Sequence, residues 1–315
     1  MRAAMARRSF FLRAGSACLG AASVLGGSGR IGASAPESDG VSTAKKDGPR
    51  FYKSVKMGMF QEKISLVEKF RLLKEFGYDG IELNSPGGVD KLEAREASRV
   101  VGLPIHGAVN STHWGTRLSD ADSAVRQRAV ESLTTAITET HFVGGSAVLL
   151  VPGKVTDPNS ENQEQVWERS IEGIRQVLPL AARLGIHVLI ENVWNGFCYI
   201  HDGPADQTAD QLATYIDTID SPWVGVYFDI GNHQKYGRPA EWIRTLGRRI
   251  VKLDVKDWGK EKSFCKIGDG DVDWAAVRAA LTEIRFNGWA TAEVRGGDRR
   301  RMAEISTRMD RALGL

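Results

Sequence analysis

Four short apolar runs in the second half of the chain each end in a carboxylate. The four acids are Glu191, Asp229, Asp254 and Glu293. They stand 38, 25 and 39 residues apart, and each interval is about the length of one strand-helix unit. Apolar, β-branched runs of this length are typical of strands buried on both faces of a parallel sheet. Because the carboxyl ends of such strands meet on one face, the spacing predicts a (β/α)8 TIM barrel with these acids at its mouth.

The remainder of the chain continues the same alternation. Its 315 residues suit one barrel of about 250 residues with an extension. Eight strand-like runs alternate with eight helical patterns, from a first strand at 55–59 to a last helix at 299–313. We therefore predict one α/β domain over residues 51–315, without a second domain.

The first 35 residues are typical of an export signal rather than of a fold. Residues 7–12 read RRSFFL, a twin-arginine pattern, and a weakly apolar stretch at 14–25 precedes an Ala-Ser-Ala sequence at 33–35. Residues 36–50 read as a polar linker. The prediction is bacterial export by the twin-arginine route to the periplasm. A disordered basic tail is the alternative.

Charge and hydropathy argue against nucleic acid and membrane partners. The net charge is +3, and four arginines lie in the first 13 residues, with no acid before Glu37. The rest of the chain is close to neutral, so we expect no nucleic acid partner. The apolar stretch at 14–25 is too short to span a bilayer, so stable membrane insertion of the mature chain is not expected.

Strand parity places further charges beside the four acids. Residues two apart on a strand face the same way, which brings Lys256 and Arg295 to the mouth and puts Lys252 one layer deeper. Carboxylates that converge in a buried site of low dielectric constant repel one another and require a cation. All-oxygen donors favour Mn²⁺ or Mg²⁺ over Zn²⁺, so we predict one such ion. The alternative is that each acid caps a helix or pairs with a base.

Several other side chains are candidates for binding substrate at the same mouth. Their alternative roles are structural hydrogen bonding and packing. They are His106 and Glu82 on earlier strands, Asn192, Asn232 and His233 beside the acids, Arg295 after the last strand, and Trp114, Trp194, Trp258 and Phe60 in loops.

Short motifs along residues 52–313 carry a family resemblance. They are GIEL at 80–83, PIHG at 104–107, IEN at 190–192, FDIGN at 228–232, LDVKD at 253–257, IGDGDVDW at 267–274 and AE at 292–293. In order and spacing the chain resembles the xylose isomerase-like TIM barrels, which include sugar isomerases and epimerases and the relatives of endonuclease IV.

The resemblance implies roles for individual residues. Glu191, Asp229 and Glu293 take metal-ligand positions, and the two glutamates form the acid/base pair. His106 matches a histidine near substrate or metal, and Lys256 matches the basic residue after the seventh strand. The chain departs from the family's frequent histidines at two positions, where it has Asp254 and Asn232. These changes make the site more acidic and weaken the resemblance to the tagatose epimerase and endonuclease subgroups.

Together these features predict a metal-dependent isomerase or epimerase of a small carbohydrate, which is expected to be unphosphorylated. Catalysis would proceed by proton abstraction next to a carbonyl, through an enediolate. Two alternatives stay open: a lyase or dehydratase acting on a keto-sugar or keto-glycoside, and a non-catalytic exported carbohydrate-binding barrel. A homo-oligomer is also left open.

Overall fold

The computed structural model describes residues 49–155, 157 and 161–315. Within them, eight parallel strands close into a barrel, and an α-helix follows each barrel strand along the chain. The barrel strands are β1 (Arg50–Lys56), β2 (Gly80–Ser85), β3 (Ile105–Asn110), β4 (Ala147–Leu150), β5 (His187–Glu191), β6 (Val224–Asp229), β7 (Ile250–Val255) and β10 (Asn287–Ala292). The helices are α1 (Leu66–Glu75), α2 (Lys91–Val101), α3 (Ser123–Phe142), α4 (Gln163–Leu184), α5 (Asp210–Ile219), α6 (Pro239–Leu246), α7 (Trp274–Glu283) and α8 (Arg299–Leu313).

The order of the strands around the barrel follows their order in the chain. Each strand pairs in parallel with its sequence neighbour, and β1 closes the ring by pairing with β10. This is the connectivity that right-handed βαβ units generate. The predicted TIM barrel is therefore confirmed.

The first strand differs from its prediction. It spans Arg50–Lys56 rather than 55–59, and Met57–Met59 form a short 3₁₀ turn. The strand thus begins inside the predicted linker and ends at Lys56. That shift places Lys56 at the barrel mouth, although no residue of the first strand was predicted to lie in the site.

The helices begin and end where local chemistry satisfies their terminal groups. Ser65 and Asp90 cap α1 and α2 by accepting a hydrogen bond from the backbone N–H three residues later. Asn162 and Gln165 form a capping box at the start of α4. Gly185 ends α4 with a φ of 69°, a left-handed conformation that glycine adopts without steric cost. The N-terminal caps fix where the helices begin on the side of the mouth, and Gly185 turns the chain into β5 at the opposite end of the barrel.

An antiparallel hairpin interrupts the alternation after β7. It consists of β8 (Asp257–Gly259) and β9 (Ser263–Cys265). The buried carboxylate of Asp257 accepts hydrogen bonds from the backbone N–H of Gly268, at 2.7 Å, and from the indole of Trp274, at 3.2 Å. This anchor holds the hairpin beside the mouth.

The predicted signal at 1–35, and the linker as far as residue 48, lie outside the described residues. Along the described ranges, no helix is long and apolar enough to cross a membrane.

Candidate metal centre and active site

The four strand-end acids converge on one point. Glu191 and Asp229 end β5 and β6, Asp254 is the penultimate residue of β7, and Glu293 directly follows β10. One carboxylate oxygen from each lies within 4.8 Å of those of the other three. Asp229 and Asp254 are fully buried. The predicted convergence is confirmed, and it follows from equal parity on neighbouring parallel strands.

Two lysine ammonium groups sit in this acidic cluster. Lys256 Nζ lies 2.7 Å from Glu293 Oε2 and 3.2 Å from Asp229 Oδ2. Lys56 Nζ lies 2.8 Å from Glu293 Oε1 and 2.9 Å from Asp254 Oδ2. Glu293 is thus held through both oxygens, one by each lysine.

Burial and mutual repulsion change the pKa values of the cluster. Desolvation, reinforced by neighbouring carboxylates, raises the pKa of Glu191 and Asp254 and brings that of Asp229 to about 7. Desolvation also opposes ionisation of Glu293, but the two lysines outweigh it and lower the pKa of this carboxyl. The cluster therefore holds more negative charge than its own lysines stabilise.

The donor set fits a hard divalent cation. Four carboxylates and two ammonium groups leave a formal charge of −2, which one divalent ion offsets. Asp254 Oδ1 is buried and accepts no hydrogen bond from any described residue, so its lone pairs are free for a ligand bond. Asp229 Oδ2 is also buried and faces the Lys256 ammonium at 3.2 Å, which leaves it a second lone pair. Oxygen ligands without histidine or cysteine suit Mn²⁺ or Mg²⁺ better than Zn²⁺.

A polar loop after β6 fixes the positions of the candidate ligands. Asp229 Oδ1 accepts hydrogen bonds from the backbone N–H groups of Gly231 and Asn232, at 2.8 and 2.7 Å. The Asn232 amide donates to Glu191 Oε1 at 3.3 Å and accepts from Lys256 at 3.1 Å. Asn232 therefore joins three members of the cluster.

Asn192 and His233 support this loop from below. The Asn192 side chain pairs with the backbone N–H and C=O of Asp229, at 2.8 and 2.9 Å, and donates to His233 Nδ1 at 3.1 Å. The His233 ring stacks on Trp242 with 4.5 Å between centroids, and burial lowers its pKa to about 3. Both were predicted to bind substrate, and the structure places their hydrogen bonds within the protein.

A second polar layer lies beneath the acids inside the barrel. Lys252 is buried, as parity predicted. Its ammonium donates to His106 Nδ1 at 2.8 Å and to the His106 carbonyl at 2.7 Å. Burial lowers the pKa of Lys252 to about 8, and a neutral histidine is the partner that this geometry supplies.

His106 lies deeper than predicted. It is the second residue of β3 and occupies a register irregularity against β2, where Ile81 pairs with Ile105 and Glu82 with Gly107. Such a bulge re-aims a side chain. His106 Nε2 contacts Ser54 Oγ at 2.7 Å, and with Lys252 on Nδ1 both ring nitrogens are engaged. The predicted position of His106 at the mouth is therefore wrong.

Glu82 belongs to the same interior layer. Its Oε1 accepts a hydrogen bond from the Tyr227 hydroxyl at 3.0 Å, and that hydroxyl also contacts Thr291 Oγ1 at 2.7 Å. Desolvation raises the pKa of Glu82, while Lys56 and Lys252 oppose the shift. Its contacts are those of a structural acid under the mouth.

The aromatic candidates divide by location. Phe60 is 2% exposed and belongs to the core. Trp114 is 44% exposed and packs edge-on against His113. Trp194 packs on Trp258 with 6.5 Å between centroids, and on Phe264 with 4.8 Å. A stacking surface is thus present at the mouth.

A cavity of about 900 Å³ opens beside the acids. Its lining includes Lys256, Phe264, Glu293 and Arg295. The predicted position of Arg295 near Glu293 is therefore observed. Phe264, which the sequence analysis missed, lies on β9 with its ring 5.1 Å from Lys256 Nζ. A volume in this range is typical of small-molecule sites.

Lys56 and Tyr227 were also missed by the sequence analysis. A strand placed at 50–56 would have found Lys56 by the alternation that aligns it with Ser54. Tyr227 lies two residues before Asp229 and was treated only as an apolar strand residue. In both cases the available signal was strand parity, applied in the correct register.

Comparisons with known proteins agree with this architecture. The family model described as "Xylose isomerase-like TIM barrel" matches residues 70–312. An uncharacterized protein of Methanocaldococcus jannaschii is 27% identical over 173 residues, which cover 54% of this chain and 57% of that protein. The chain thus matches little more than half the length of this relative.

Two further matches cover most of the chain. L-ribulose-5-phosphate 3-epimerase of Escherichia coli is 24% identical over 254 residues, which cover 75% of this chain and 86% of that enzyme. The solved structure of a 3-keto-D-glucoside 4-epimerase from E. coli is similar with a TM-score of 0.68 and 17% identity, covering 84% of this chain and all of that one. At that identity the structural likeness shows the fold.

Proposed function

The chain belongs to the xylose isomerase-like TIM-barrel family. We propose that it is a divalent-cation-dependent enzyme that isomerises or epimerises a sugar. The observation that carries the proposal is the convergence of four carboxylates with two lysines at the barrel mouth. Support also comes from the two matches that cover most of the chain, which are both named as epimerases of sugar derivatives.

The residues present fit the requirements of this chemistry. Glu191, Asp229, Asp254 and Glu293 would hold the cation, which when bound polarises a carbonyl and acidifies the neighbouring C–H. One of the two glutamates removes that proton and gives an enediolate. Lys256 donates a hydrogen bond to the oxygen that becomes negative.

The site at which the enediolate is protonated decides the reaction. If the second glutamate, itself protonated, donates its proton to the opposite face of the same carbon, the product is an epimer and the first glutamate keeps the abstracted proton. If a proton is donated to the neighbouring carbon instead, while the hydroxyl proton passes from the first oxygen to the other, the carbonyl moves and the product is an isomer. In both cases the two glutamates must reach the same substrate, and they lie in one cluster.

Hydrogen-deuterium exchange tests the proposal without knowledge of the substrate. Free ketoses, aldoses and keto-glycosides are incubated with the protein and Mn²⁺ in D₂O, and exchange is followed by NMR. We expect protein-dependent incorporation of deuterium next to a carbonyl in at least one sugar class. Binding of a sugar without exchange of any C–H would favour a carbohydrate-binding barrel instead.

We further propose that the substrate carries no phosphate. TIM barrels often bind phosphate at a helix N-terminus after the last strands. Here the first turn of α8 is already occupied by carboxylates: Asp298 accepts from the N–H of Arg301 at 3.0 Å, and Glu62 accepts from that of Arg299 at 2.8 Å. Export, proposed from residues 1–35, would also separate the protein from cytoplasmic sugar phosphates.

A comparison of a free ketose with its phosphate ester tests this proposal. We expect kcat/KM for a ketose to equal or exceed that for its phosphate ester, with Mn²⁺ present. The physical reason is that Asp298 and Glu62 would repel a dianion at this helix. A preference of about tenfold or more for the ester, worth about 1.4 kcal/mol of transition-state binding, contradicts the proposal.

A further inference from the structure

Lys56 places a positive charge among the proposed metal ligands. Its Nζ lies between Asp254 Oδ2, at 2.9 Å, and Glu293 Oε1, at 2.8 Å. The side chain is 13% exposed. Lys56 is not among the site residues predicted from the sequence, and the proposed reaction does not use it.

The strand holds Lys56 firmly in this position. Ser54, two residues earlier on the same face, contacts His106 at 2.7 Å and Thr291 at 2.8 Å. Lys53 points to the opposite face and pairs with Asp310 of α8. β1 is therefore pinned on both faces, and the Lys56 ammonium is directed into the cluster.

The Lys56 ammonium holds one oxygen of each of two proposed ligands. Asp254 Oδ2 and Glu293 Oε1 are both taken by Lys56, and Glu293 Oε2 is taken by Lys256. A divalent ion ligated by these acids stands within a few ångströms of Lys56, where like charges repel strongly. The ion and the ammonium therefore compete for the same carboxylates.

We propose that Lys56 is the resident counter-ion of the acid cluster. In the metal-free protein its positive charge offsets the repulsion between the Asp254 and Glu293 carboxylates. Because a divalent cation must compete with this ammonium, Lys56 lowers the affinity of the cluster for the cation. This inference rests on the proposed function only in that Glu191, Asp229, Asp254 and Glu293 are the cation's ligands. It assigns to β1 a part in setting metal affinity.

Removal of the ammonium tests the inference directly. Mn²⁺ is titrated calorimetrically into the metal-free full chain and into the Lys56→Met, Lys56→Gln and Lys56→Arg variants. We expect Met and Gln at this position to tighten Mn²⁺ binding by about tenfold or more, equivalent to about 1.4 kcal/mol. Arginine, which keeps the charge, should leave the affinity within about threefold of the original, or 0.7 kcal/mol.

Lys53→Met is the matched control. It removes a buried, ion-paired lysine from the same strand, but on the face that packs toward α8. We expect it to lower the melting temperature and to leave the Mn²⁺ affinity unchanged. Thermal shift on addition of Mn²⁺ gives a second readout, so that a variant with reduced stability still reports on binding.

The outcomes separate this inference from the proposed function. If Lys56→Met and Lys56→Gln bind Mn²⁺ no more tightly than the original chain, Lys56 is not the counter-ion. If these variants bind Mn²⁺ and the original chain does not, the inference is supported while the metal dependence of the original protein fails. If Mn²⁺ binds but no sugar exchanges deuterium, the proposed reaction fails. The Mn²⁺ affinities of the Lys56 variants relative to the original chain then still show whether Lys56 is the counter-ion.

Discussion

Replacement of Glu191 by glutamine is expected to lower the rate of C–H exchange by about 10²–10⁴, the usual contribution of a general acid or base. Glutamine keeps the size of the side chain and an oxygen that can accept from Asn232, but it cannot take up a proton. Glu191 makes no ion pair with a described lysine, so the Lys56 and Lys256 contacts to Glu293 should survive the change. Exchange at saturating sugar and Mn²⁺ measures the effect on kcat.

Glu293→Gln should lower exchange to a similar extent but with a second consequence. Both oxygens of Glu293 hold lysines, and a neutral amide leaves Lys56 with Asp254 and Lys256 with Asp229 as their remaining carboxylate partners. We therefore expect a lower melting temperature for Glu293→Gln than for Glu191→Gln. Glu96→Gln, which alters an exposed pair with Arg99 on α2, is the control and should leave exchange intact. If either active-site variant retains more than about a tenth of the rate, that glutamate is not the acid or base.

The acid cluster could be predicted because its acids lie where strand alternation holds, beyond the register irregularity that β6 and β7 have at Val226 and Tyr227. β5, β6, β7 and β10 each present alternate residues to the interior, so a single parity rule placed four acids and Lys252 correctly. The rule requires only the position of the strand in the sequence and one residue whose side chain is known to face the interior. It is independent of loop structure, and this is why the cluster was found without any knowledge of the turns.

The same rule failed where the strand register was wrong or irregular. A first strand placed at 55–59 hid Lys56, because the observed strand ends at that residue. On β3 the register irregularity turns His106 into the interior near the start of the strand, below the mouth at which it was predicted to bind substrate. A bulge adds one residue and shifts the parity of everything beyond it.

Loop contacts were beyond prediction for a different reason. Phe264 reaches Lys256 because the β8–β9 hairpin folds back after β7, and the hairpin depends on Asp257 binding Gly268 and Trp274. These partners are 11 and 17 residues away in sequence. No periodic pattern encodes such a contact. The role of Asn192 as a clamp on the Asp229 backbone is of the same kind.

Removal of divalent metal is expected to abolish exchange and to destabilise the protein. The acids and lysines of the cluster leave a formal charge of −2 in a buried site, and a bound cation offsets it. A ligand that binds only the native state stabilises it by about 2.7 kcal/mol at one hundred times its dissociation constant. For a domain of this size that corresponds to a melting temperature about 5–10 °C higher with Mn²⁺ than after chelation.

The experiment compares the full chain after treatment with EDTA with the same sample after addition of Mn²⁺ or Mg²⁺. Exchange should fall by about 10³ or more on chelation, since the cation is needed to acidify the C–H, and it should return with either ion. Asp229→Asn removes a fully buried carboxylate of the cluster, so its melting temperature should no longer respond to Mn²⁺. Asp217→Asn, which alters an exposed pair with Arg249, should respond as the original chain does. Undiminished exchange in a sample shown by elemental analysis to be metal-free would mean that Lys56 and Lys256 alone stabilise the developing negative charge, and the four acids would then need a role other than metal binding.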